Sequence, residues 1–173
     1  MFTFPGSNKF SGNTAITDSK SMDPNAPIQC TVATAGDIPT LLGMMETFCT
    51  LEHLHFDAEI RELLILQMLN NEALGTLYSI RMNGESAGYV AICFGFSFEY
   101  LGKDAFIDEL FLKEEFRGQG YGKEIINFVS DQCALYGLKA VHLEVDHSNQ
   151  QAQNLYRKAG FAGKERHLWT KWL

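Results

Sequence analysis

Nothing in this sequence combines the length and apolarity needed to cross a bilayer, and its first 27 residues lack the apolar core of a secretory signal. Basic residues are also scarce. Fourteen Lys and Arg stand against 21 Asp and Glu, and the net charge of −7 argues against the basic face that nucleic-acid binding needs, while tolerating a cationic substrate. Paired cysteines are missing too: Cys30, Cys49, Cys93 and Cys133 lie far apart with no C-x-x-C among them. That argues against a disulfide frame or a zinc site and for reduced thiols in a cytoplasmic protein. There is no internal repeat and no charge block. What is present is an ordinary globular mix over 173 residues, enough for one domain with a real core.

Residues 1–27 are polar and rich in Gly, Ser, Asn and Pro, which reads as a flexible tail or a cloning remnant ahead of a folded domain over 28–173. From residue 28 the chain has a readable rhythm. A short β-prone run at 28–33 precedes a helix that Asp37 can cap, with Ile38, Leu41, Leu42, Met45 and Phe48 on one stripe. A second helix follows, capped by Asp57, with Ile60, Leu63, Leu64, Gln67 and Met68 facing inward. Two strands flank Asn83-Gly84, a strong hairpin signal, and a third spans 105–112. A glycine-rich turn leads into a helix ending near Gly137, then a strand at 140–146, a helix at 149–160, and a closing strand at 166–173. This order predicts a single-domain α/β fold with a mixed sheet and one parallel crossover, between the strands at 105 and 140.

The glycine run "RGQGYGK" (117–123) sits where a strand ends and a helix begins. Backbone N–H groups converge at such a place and the helix N-terminus adds positive potential, so an anion site is one reading and a packing turn is the other. Nucleotide motifs fail on spacing. A P-loop requires glycine where Arg117 stands and a hydroxyl where Glu124 stands, and the dinucleotide fingerprint requires glycine at Lys123.

Twenty-nine residues past Gly120, "NQQAQNLYRKAGF" begins directly after a strand. Together the two stretches resemble the GNAT superfamily of acetyl-CoA-dependent N-acetyltransferases. Arg117, Gly118, Gln119, Gly120, Tyr121 and Gly122 match its R/Q-x-x-G-x-G/A turn. Asn149, Ala152, Tyr156, Lys158, Gly160 and Phe161 match its N-x-x-A/S-x-x-x-Y helix and the residues after it. The resemblance covers roughly residues 28–172. It implies a mostly antiparallel sheet flanked by helices, acetyl-CoA as cosubstrate without a metal, and an amine acceptor, with assembly open between monomer and homodimer.

The resemblance also assigns roles. The pyrophosphate of acetyl-CoA would rest on the amides of 118–123, with Arg117 and Lys123 beside the phosphates. The pantetheine arm would enter between two splayed strands and pair with the backbone over Leu110, Phe111 and Leu112, an N–H near Leu110 facing the thioester oxygen. Asn149 would contact the pantetheine amides, next to Ala152. Tyr156 would donate a proton or hydrogen bond to the departing sulfur, unless it is a packed tyrosine satisfied elsewhere.

Amine attack also requires a proton to leave, and the candidate bases are Asp108 and Glu109, with Glu144 and Asp146 nearby. Strict alternation puts Asp108 and Glu109 on opposite faces, so only one looks into the site unless a β-bulge intervenes. These carboxylates suggest a cationic acceptor such as a polyamine, an amino sugar or a lysine side chain. Two further classes remain open: a CoA-binding sensor without turnover, and a phosphate-ligand interaction module. Glu52, His53 and His55 read as a loop bordering the acceptor rather than a metal site. His142 reads as structural, and Phe94, Phe96, Phe98 and Tyr100 as packing residues of a strand.

Overall fold

The computed structural model describes residues 28–165 and 167–173, so the tail expected over 1–27 lies outside the described residues, as does Arg166. The elements follow in the order β1 (Gln29–Val32), α1 (Ile38–Leu51), α2 (Ala58–Asn70), β2 (Gly75–Met82), β3 (Glu85–Ser97), β4 (Gly102–Leu112), α3 (Tyr121–Leu135), β5 (Val141–Leu143) and α4 (Gln150–Lys158). The five strands form one sheet in sequence order, antiparallel except for the β4–β5 pair. The expected parallel crossover is therefore present, with α3 as its helix.

The sheet separates two apolar layers. Alternation along β3 sends Val90 and Ile92 towards Ile125, Ile126 and Val129 of α3, with Tyr156 and Phe161 packed at the border of that layer. Tyr89 and Ala91 point the other way, towards Leu41, Met44 and Met45 of α1 and Ile65 of α2. Asn83 and Gly84 both take positive φ (52° and 78°), as the tight hairpin between β2 and β3 demands.

Four expectations change. Asp37 does not cap α1. Its carboxylate turns back to accept from Thr34 N (2.9 Å) and Thr34 Oγ1 (2.8 Å), and Arg81 donates to its other oxygen at 2.9 Å, so it fastens the short 3₁₀ turn Ala35–Asp37 to β2. The inner face of α2 is rotated from the expected stripe: Ile60, Leu63 and Leu64 are exposed, while Arg61, Ile65, Met68 and Leu69 turn inward. Arg61 sets that rotation, because its guanidinium has a buried partner on β4.

The strand expected over 140–146 ends at Leu143, and 167–173 form no strand. Strand propensity needs a neighbouring edge to act on, and three residues of β5 offer little. Finally, only Phe94 and Tyr100 of the aromatic run pack. Phe94 meets Tyr136 and Tyr100 meets His142, whereas Phe96 and Phe98 lie edge to face on each other in solvent.

Removal of the Asp37 fastening should be measurable. Its hydrogen bonds from Thr34, and then Arg81, hold the Asp37 carboxyl below its ordinary value. The stabilisation is therefore complete above the unfolded value and is lost as pH falls through the lower folded one. Asp37→Ala should cost about 1 kcal/mol at pH 7 in urea melts, with the difference from wild type shrinking under strong acid.

Candidate active site

The turn after β4 has the geometry its glycines suggest. Gly118 and Gly120 take φ of 75° and 92°, and Gly120 is the N-cap of α3; a side chain at either would be strained although space around both is open. Gly122 serves a different purpose. A Cβ there would lie 2.9 Å from Leu155, so this glycine lets α4 approach α3 closely. Arg117 Nε donates to the Leu112 carbonyl at 2.7 Å and its guanidinium lies over Phe111, which ties the turn to the end of β4. Gln119 donates to Glu115 O (2.7 Å), Tyr121 is buried in the α3 layer, and Lys123 N–H donates to Gly120 O (3.1 Å).

β4 and β5 stay together for only three residues, Ala105–Val141, Phe106–His142 and Ile107–Leu143. Residues 108–112 of β4 continue with no partner on that side among the described residues. The parting begins at a bulge. Ala91 pairs with Glu109 while the next residue of β3, Ile92, pairs with Ile107, which leaves Asp108 as the extra residue. Ala105 and Ile107 face the α3 layer, but beyond the bulge Leu110 and Leu112 face it, and Phe111 faces α1. Asp108 and Glu109 consequently look out on the same face, and both line a cavity of about 290 Å³ between α2 and the sheet.

The two carboxylates differ in their surroundings. Glu109 is buried; Arg61 Nη1 donates to one oxygen and Tyr89 Oη to the other at 2.7 Å. Arg61 also reaches Cys49 Sγ at 3.1 Å. Asp108 makes no hydrogen bond or ion pair among the described residues. Asp108 is exposed, yet neighbouring atoms strip part of its water and push its carboxyl up, the Glu109 charge adds to this, and Arg61 offsets only part.

Neither of the other candidate acids is placed as a base. Asp146 accepts from Ser148 N and Oγ at 2.6 Å in the turn before α4, and Glu144 is exposed beyond the end of β5. Asn149 Oδ1 caps α4 by accepting from Ala152 N at 3.0 Å, so its amide group is the part left to meet a ligand. His142 lies against the Tyr100 ring with Nε2 3.4 Å from Asp104, consistent with a structural position.

Tyr156 is half-buried beside Phe161, and its hydroxyl has no hydrogen-bond partner among the described residues. Burial raises its pKa, and the Glu52 carboxylate raises it further. Glu52 ends α1 on one face of the sheet while Tyr156 is on the other. The loop holding Glu52, His53 and His55 is exposed, with Phe48 and Phe56 partly buried against the α1–α2 layer.

A glycine turn at a helix N-terminus, a parted strand pair and a capped asparagine helix are the parts that the motifs implied. The sequence profile of the acetyltransferase (GNAT) family matches residues 42–161. The chain belongs to the GNAT family. It is 31% identical over 81 residues to thialysine N-epsilon-acetyltransferase of Bos taurus, a stretch covering 44% of this chain and 48% of that protein. It is also 34% identical over 85 residues to an uncharacterized N-acetyltransferase of Methanocaldococcus jannaschii, 49% of this chain and 38% of that one. The chain thus spans half or less of the curated relatives it matches. Among solved structures, an integron cassette protein from a salt-marsh metagenome shares the fold at a TM-score of 0.75 and 28% identity, covering 84% of this chain and 90% of that one. A predicted acetyltransferase with acetyl-CoA from Clostridium acetobutylicum shares it at 0.67 and 16% identity, covering 84% and 96%.

The Arg61–Glu109–Tyr89 group was not found from sequence. Its one signal was a charged residue four positions before Ile65 on the inward stripe of α2. In this GNAT domain Arg61→Ala should destabilise by about 3 kcal/mol, because it leaves a buried carboxylate unpaired. Asp108→Asn should leave stability at pH 7 unchanged or raised: an acid whose folded pKa is raised loses stability as it ionises. Urea melts of the two variants test both signs.

Proposed function

We propose that this chain transfers the acetyl group of acetyl-CoA to the nitrogen of a cationic primary amine within a ternary complex. The observation that carries the reading is the parting of β4 from β5 beside the glycine turn. It leaves the edge of 108–112 facing a slit into which an extended pantetheine arm fits as an added strand. The pyrophosphate end lies at the N-terminus of α3, where backbone donors and the helix dipole favour an anion. In this reading Asp108 borders the slit on one face and Tyr156 on the other.

The chemistry follows from those positions. The acceptor arrives as an ammonium, drawn by the Asp108 carboxylate, and gives up a proton to it before or during attack. The free amine attacks the thioester carbonyl and an N–H near Leu110 stabilises the oxyanion. The C–S bond then breaks, and the electron pair leaves on sulfur. Tyr156, with its raised pKa, is suited to donating a hydrogen bond to that thiolate rather than surrendering its proton. Glu109 is a poorer base than Asp108, since both of its oxygens are engaged and Arg61 balances its charge. Its role is to hold α2 on the sheet. A cytoplasmic setting fits the four unpaired thiols.

Acetyl-CoA or CoA should raise the melting temperature, by the equivalent of about 2.7 kcal/mol at a hundredfold excess over Kd, and ATP-magnesium should not. Gly120→Asp should abolish the response by placing a carboxylate at the pyrophosphate. A response to ATP alone would sink the reading.

Turnover on a panel of amines, followed by release of CoA thiol, should rise with pH as the amine loses its proton. In single turnover, Tyr156→Phe and Asp108→Asn should each lower the rate about ten- to a thousandfold, with acetyl-CoA affinity kept. Glu109→Gln should cost far less. Equal loss in both carboxylate variants would remove the distinction drawn between them.

A further inference from the structure

The cavity that Asp108 lines lies between α2 and the sheet, and its lining differs from what a polyamine or an amino sugar would need. Its apolar walls include Met45, Ile65, Met68, Leu77 and Cys93, with Leu64 and Leu74 exposed at the edge. Its polar lining consists of Arg61, Gln67, Asp108 and Glu109. Gln67 is exposed on α2, and Arg61 and Glu109 satisfy each other. One positive and two negative side chains leave a net charge of −1, carried by Asp108. Among the lining residues Asp108, itself exposed at the rim, carries the one charge left unneutralised, so a second ammonium finds no charged partner in the cavity.

The rotation of α2 points the same way. Bringing Arg61 inward leaves Ile60, Leu63 and Leu64 more than half exposed, and Leu64 lines this cavity. Apolar surface gathered around a concave site with one convergent charge is the usual form of a small-molecule pocket.

We propose that the cavity holds the apolar body of a monoamine whose ammonium group sits at Asp108, so that the acceptor is an alkyl- or aralkyl-amine with a single charge. The inference rests on the transferase reading for its reaction and on the cavity alone for its choice of substrate. Leu64, Met68 and Cys93 are then specificity-determining residues: Leu64 covers the body of the acceptor from α2, Met68 adapts to its shape, and Cys93 lies on the β3 wall.

The test compares n-alkylamines of three to seven carbons with 1,6-diaminohexane, by kcat/KM and by calorimetric titration against the protein saturated with CoA. The kcat/KM should climb about fourfold per methylene, the gain expected from burying one CH2, until the chain fills the cavity. Hexylamine should exceed 1,6-diaminohexane about tenfold or more, because the second ammonium must be desolvated. Leu64→Asp changes an exposed residue and so spares the fold. It should cut the preference for hexylamine over propylamine about tenfold, because a hydrated carboxylate replaces apolar contact with the chain while its charge acts on both ammonium groups alike. Cys93→Trp should shorten the longest chain accepted.

A flat chain-length series, or a diamine acetylated as well as hexylamine, overturns the cavity assignment and leaves acetyl transfer standing. Hexylamine that binds the CoA complex, weakens with Leu64→Asp and is never acetylated keeps the cavity and overturns the transferase reading. Absence of both binding and transfer overturns the two together.

Discussion

One extra residue in β4 governs the rest of this structure. Without a bulge, alternation along β4 would continue from Ala105 and Ile107 to Glu109 and Phe111 on the α3 side. With Asp108 inserted, Glu109 and Phe111 go to the α1 side, and Leu110 and Leu112 take the inward places beneath α3. A bulge also bends and twists its strand, and parallel pairing with β5 ends at Ile107, immediately before it. The slit, the adjacent carboxylates and the change of face thus have a single cause. They cannot be varied independently.

The cost of that change of face falls on α2. A carboxylate brought under a helix needs a partner, and Arg61 supplies it together with Tyr89. An arginine on the inner stripe rotates the helix and leaves three large apolar residues in water. An apolar pair in place of Arg61 and Glu109 would pack a more ordinary core. What the charged pair adds is a fixed register between α2 and β4 with Asp108 left unpartnered beside it. That is an expensive arrangement for a core, and a useful one for the proposed capture of a cationic acceptor.

Legibility in the sequence followed the locality of each signal. The Asn83-Gly84 hairpin, the glycines before α3 and Gly137 after it were readable because each expresses a backbone requirement met within a few residues. The two motifs also placed the chain's family, since each has a fixed spacing inside one element. Arg61 was not readable, because its inward turn depends on an acid 48 positions away. Asp37 resembled a cap for α1 and instead serves Thr34 and Arg81. The closing stretch has the alternation of a strand, but β5 offers an edge of only three residues and Leu168, Trp169 and Trp172 stay exposed. Helix and strand preferences are local; the partners that select among them are not.

Glu52, at the end of α1, raises the pKa of Tyr156 on α4, although the two elements lie on opposite faces of the sheet. Beyond Ile107 β4 runs without β5, which opens the ladder on that side. In the proposed reaction the same opening must admit the thioester, with the amine arriving from the α1–α2 face and the thiolate leaving towards the α4 face. A proton acceptor and a hydrogen-bond donor on opposite sides of a sheet can serve one carbonyl carbon only if the sheet is open between them. In that reaction the bulge would do more than aim Asp108: the end of the β4–β5 ladder would also give Tyr156 its access, so the two ends of the proposed chemistry depend on the same inserted residue.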